Sequence, residues 1–130
     1  MSQTPDKLVG PVPSSIVNSA RSSVTPYEGR VAEFNVAAWL HLPGLASLPV
    51  SLLVSYRDGN QQREVAVDHG KVNVHNKVML SGIARLPIKH KIEDMQVRLR
   101  SAVPASALVV EELFVQAVEL ASSDARTATA

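Results

Sequence analysis

Along the middle of the chain, apolar and polar positions alternate. Phe34, Val36, Ala38, Leu40 and Leu42 fall on one parity, and Glu33, Asn35, Ala37, Trp39 and His41 on the other. A two-residue period held this long predicts a half-buried strand, because successive strand side chains point to opposite faces. Val50, Leu52, Val54 and Tyr56 repeat the pattern, and Asp58-Gly59-Asn60 follows at once. That triplet is a turn, since glycine and asparagine tolerate positive φ, and Glu64–Asp68 returns to complete a hairpin over 50 to 68. His69-Gly70 is expected to turn the chain into a further strand over Lys71–His75. Another runs from Val78 to Leu86, with Gly82 at a bulge and Pro87 ending it for want of a ladder donor. Met95–Arg100 alternates cleanly. Leu108–Leu120 contains the helix formers Glu111, Glu112 and Ala117, but valines at 109, 110, 115 and 118 favour a strand. Ile16–Val24 is read as one more. Seven to eight strands with turns every eight to twelve residues predict an all-β, two-sheet antiparallel sandwich.

The ends break the pattern. Residues 1 to 15 hold Pro5, Gly10, Pro11 and Pro13, which resist helix and ladder alike, and read as an extended N-terminal arm. Residues 121 to 130 are small and polar and read as a flexible tail. Residues 16 to 120 remain as the sandwich domain.

Composition narrows the possibilities. The 130 residues suit one domain, and 45% hydrophobic content supports a core without staples. A net charge of +1 excludes binding nucleic acid by bulk charge. With no cysteine there is no disulfide framework, thiolate metal site or cysteine nucleophile. No apolar run approaches a membrane span, and the first residues lack the charged and apolar regions of a secretory signal. Cytoplasmic synthesis and no membrane contact are therefore expected.

Val36–Leu42 followed by Val50–Gly59 resembles the jelly-roll carbohydrate-binding modules of the galactose-binding-like type. Lys77-Val78-Met79-Leu80-Ser81-Gly82 is similar to their W-x-x-L-S-G strand, and Leu113–Leu120 to their closing F-Y-V-D-D-V-x-L strand. The resemblance covers about residues 30 to 120 and implies a jelly-roll-like sandwich that binds sugar. The acidic closing pair is Gln116-Ala117 here, so no carboxylate-held ion is expected there. Sugar rings stack on aromatic faces. Pattern places Phe34, Tyr56 and Phe114 inward, leaving Trp39 and Tyr27 as platforms.

Trp39 shares a strand face with Asn35 and His41, an aromatic surface beside hydrogen-bonding groups that suits a saccharide or a peptide edge. The opposing reading packs the ring under a loop or arm. His69 and His75 straddle a turn beside Asp68, but no dependable third ligand accompanies them, so no metal site is expected. No nucleophile elbow, catalytic triad order or phosphate loop is present, so neither catalysis nor a cofactor is expected. Arg85, Lys89, His90, Lys91, Arg98 and Arg100 concentrate positive charge without interleaved aromatics. They read as a solvated face balanced by Glu93, Asp94, Glu111 and Glu112. The expectation is a non-catalytic assembly protein, such as a virion decoration (cement) or minor structural protein, acting on protein partners, itself included. Its contacts would come from Leu8, Val9, Pro11, Val12 and Pro13 of the arm and from Arg98 and Arg100 on an exposed sheet face. The alternative is a carbohydrate-binding module using Trp39, Asn35, His41 and Tyr27.

Overall fold

A computed structural model describes residues 6–20, 23–25, 29–103, 105 and 107–118. The elements are β1 (Lys7–Pro11), α1 (Ser14–Ser19), β2 (Ser23–Thr25), β3 (Gly29–His41), β4 (Pro49–Asp58), β5 (Gln61–Lys71), β6 (Lys77–Ile88), β7 (Ile92–Ser101) and β8 (Val109–Ala117). They form two antiparallel sheets. One has the order β1–β7–β4–β5; in the other, β3 lies between β6 on one side and β8 on the other, with β2 in line with β8. From β3 onward every connection crosses between sheets except the β4–β5 hairpin, as in a jelly-roll-like sandwich.

The alternation explains the layers. Phe34, Val36, Ala38, Leu40 and Leu42 are all buried, facing Val50, Leu52, Val54, Tyr56, Met95, Val97 and Leu99 of the other sheet. Tyr56 sits fully inside, and its hydroxyl donates to the Pro87 carbonyl at 2.8 Å. That bond satisfies the one polar atom the ring brings into the core. The hairpin closes as expected, with Asp58 opposite Gln61; Gly59 takes φ +63° while Asn60 stays negative, the II′ pattern.

Five expectations are corrected. Residues 1 to 15 are not wholly an arm: Lys7–Pro11 pairs with β7, and Val9 and Val12 are buried in the chain's own core. Proline is tolerated there because β1 is an edge strand, bonded on one side only. Ile16–Val24 is not one strand, since residues 14–19 form α1 and only Ser23–Thr25 pairs. Lys71–His75 is not a strand either. β5 continues through Gly70 to Lys71, and the turn comes at Asn73, whose side chain accepts the N–H groups of His75 and Lys77. Gly82 is not a bulge, for the β3–β6 register runs through it unbroken. Its missing side chain instead admits β5, as a Cβ there would stand 2.5 Å from the Val67 carbonyl oxygen. Nor does Pro87 end its strand. Its carbonyl faces Tyr56 rather than β3, so the ring nitrogen takes no donor from the ladder.

Candidate binding face

The outer side of β6–β3–β8 carries the residues singled out around Trp39. Cross-strand register sets them in rows: Met79–Trp39–Glu112, Ser81–Ala37–Phe114 and Ile83–Asn35–Gln116. His41 continues the column opposite Lys77 and Val109. Trp39 is 38% exposed, Phe114 45%, Met79 50% and Ile83 52%, with Val109 exposed beside them. Large apolar side chains thus lie next to one another on a sheet surface that no other element of the described residues covers. Between Ile83 and Phe114 the small residues Ala37, Ser81 and Gly82 floor a shallow depression of about 240 Å³. Ion pairs edge the face, Lys77–Glu111 at one end and Arg85–Glu33 at the other, each at 3.2 Å.

Phe114 is a correction. It points outward beside Trp39, because Leu113, Val115 and Ala117 take the inner positions opposite Ala38, Val36 and Phe34. In Leu113-Phe114-Val115 both parities are apolar, which hides the choice. The signal was the parity of Glu112 and Gln116, which Phe114 shares. Met79, Ile83 and Val109 were missed for the same reason: apolar residues occur on both parities of β6 and β8. Asn35 and His41 lie on the Trp39 face as read. Tyr27 falls outside the described residues.

The opposite outer face differs in kind. Arg98 and Arg100 do share a face there, as expected, and both make bonds within the chain. Arg100 binds both carboxylate oxygens of Asp6 at 2.7 Å and Glu64 at 2.9 Å, and these acidic partners hold its guanidinium pKa above the ordinary arginine value. Arg98 donates to Gln96 at 3.0 Å. Of the N-terminal contact residues, Leu8, Pro11 and Pro13 are exposed, whereas Val9 and Val12 face the core.

A larger cavity of about 510 Å³ lies between α1 and the start of β7, lined by Val17, Asn18, Arg57, Lys91, Glu93 and Gln96 among others. Arg57 is gripped there by Glu93 and Asp94. Hydrogen bonding to Glu93 and the charge of Asp94 raise the Arg57 pKa, and the same bond lowers that of Glu93. The charges lining this cavity pair with one another, and no aromatic residue is among the described ones that line it. Among the described residues no three His, Asp or Glu side chains gather as metal ligands. His69 bonds Ser51 at 2.8 Å, His75 lies in the Asn73 turn, and the His90 ring abuts Gly59. No described helix is long and apolar enough to cross a membrane.

No protein-family model matches the chain, and neither a curated protein nor a solved structure does.

Proposed function

We propose that this chain is a non-catalytic assembly module that docks on a protein partner through the outer face of β6–β3–β8, of the kind that decorates or joins larger particles such as virions. The observation that carries this reading is the contiguous exposed set Met79, Trp39, Phe114, Ile83 and Val109. Soluble chains rarely leave such patches uncovered, and methionine and aromatic residues are enriched where proteins meet. The charged side chains at its ends form the polar rim expected of such a contact.

A glycan is the second reading, favoured by one specific feature. Trp39 and Phe114 are diagonal neighbours across β3 and β8, within reach of one sugar chain, and Asn35 and Gln116 supply hydrogen-bonding groups in the next row.

One pair of measurements separates them. In extracts of the producing cell, the full chain should elute within a high-mass assembly, and Trp39→Glu should release it from that fraction. Elution of the unaltered chain alone would count against docking. The single tryptophan makes fluorescence specific to this face. A shift of its emission by soluble polysaccharides, lost in Asn35→Ala, would move the conclusion to sugar binding.

A further inference from the structure

Two sheets have four edges, and among the described residues three are closed or broken against strand addition. β5 and β6 close on each other, with Val67 against Gly82 and the Ser81 N–H donated to Asp68 at 2.9 Å. β1 carries a register break between Leu8 and Gly10 and ends on Pro11, both devices that discourage strand addition. β8 is different. From Glu112 to Ala117 its register with β3 is unbroken, with neither proline nor bulge.

The direction of its backbone groups follows from one bond. Val118 N–H donates to the Glu33 carbonyl at 2.9 Å, so even-numbered residues of this stretch bond β3. The N–H and C=O groups of Leu113, Val115 and Ala117 therefore point away from it. Among the described residues nothing takes them up; α1 packs beside β8 without a hydrogen bond to its backbone. A row of unpaired donors and acceptors is a template for another strand.

We propose that β8 pairs antiparallel with β8 of a second copy, about a two-fold axis through Phe114. This register sets Leu113 of each copy opposite Val115 of the other, and each such pair exchanges both backbone bonds. Phe114 then meets its counterpart in the close, non-hydrogen-bonded position. Glu112 of each copy faces Gln116 of the other, so a carboxylate meets an amide and like charges stay apart. The segment is thus self-complementary in backbone and in side chain, which commits the edge to a second copy. The axis stands perpendicular to the sheet. The product is one continuous six-stranded sheet, β6–β3–β8 twice, with both Trp39 faces on the same side. The inference goes beyond the docking reading: edge pairing needs no ligand, and it doubles the face that would bind one.

The chain has no cysteine, so Phe114→Cys introduces its only thiol. Under mild oxidation this variant should form a disulfide-linked dimer, while Met79→Cys, on the far strand of the same face, should not. Sedimentation equilibrium of the unaltered protein should give twice 14.0 kDa. Phe114→Lys, which sets two ammonium groups at the axis, should return it to monomer while circular dichroism stays that of a β protein. A monomer at every concentration would overturn the proposal and leave the docking face untouched. So would a dimer indifferent to Phe114→Lys, or cross-linking of Met79→Cys equal to that of Phe114→Cys.

Discussion

Asp58 ends β4 with a carboxylate only 1% exposed, yet it remains an acid in its ionised form. Burial alone would push its pKa up. The backbone N–H groups of Lys89 and His90, at 2.8 and 2.7 Å, and the charge of Arg63 outweigh burial and hold it below the ordinary aspartate value. The sequence places Asp58 in the turn after β4, but the N–H groups it accepts lie some thirty residues on, partners that local pattern does not reveal. Replacing it by alanine strands two backbone donors and the Arg63 guanidinium, and should cost about 3 kcal/mol in urea unfolding. Because the folded pKa is depressed, its contribution is complete above the unfolded aspartate value near about 4 and fades as pH falls through the folded one. Wild type and Asp58→Asn should accordingly differ in stability at neutral pH and converge in acid. Trp39→Ala should barely alter the same unfolding curve, since the ring is partly in solvent and outside the core.

Strand positions were legible where one parity was strictly apolar, as in β3, β4 and β7. Legibility failed where both parities were apolar. In β6 and β8 apolar residues occur on both parities, and only polar neighbours of like parity mark the outer set, so the placement of Phe114, Met79 and Ile83 was obscured. Gly82 failed for another reason. A strand glycine marks either a bulge or a close approach, and only the neighbouring strand decides which. Because Val67 backbone would lie 2.5 Å from an added Cβ, Gly82→Ala should force β5 away. We expect a loss of about 2 kcal/mol, typical of overpacking against rigid backbone, measured by chemical denaturation. A true bulge position would tolerate alanine with far less.

The two outer faces differ in what they expose. The β1–β7–β4–β5 face carries charged side chains bonded within the chain, Arg100 tying residue 6 to β7 and β5. The β6–β3–β8 face carries exposed apolar side chains that no described element covers. The N-terminal segment belongs to the body, which makes a direct prediction. Deleting residues 1 to 12 removes β1 and the buried Val9 and Val12 and uncovers the edge of β7. At about 1.5–3 kcal/mol for each buried valine, besides the lost ladder, the truncated chain should melt well below the intact one in circular dichroism. A dispensable arm would leave the melting temperature unchanged.

Alternation, composition and turn chemistry were enough to determine an all-β sandwich, the β4–β5 hairpin and the inward set of β3, because these depend on residues near one another along the chain. Which strands became edges, which apolar residues stayed outside, and what Asp58, Gly82 and Arg100 hold were decided by strands distant in sequence meeting in space. Hydrophobic period records only that a side chain has an apolar side of a sheet to occupy. Whether a second layer covers that side is a property of the assembled pair of sheets.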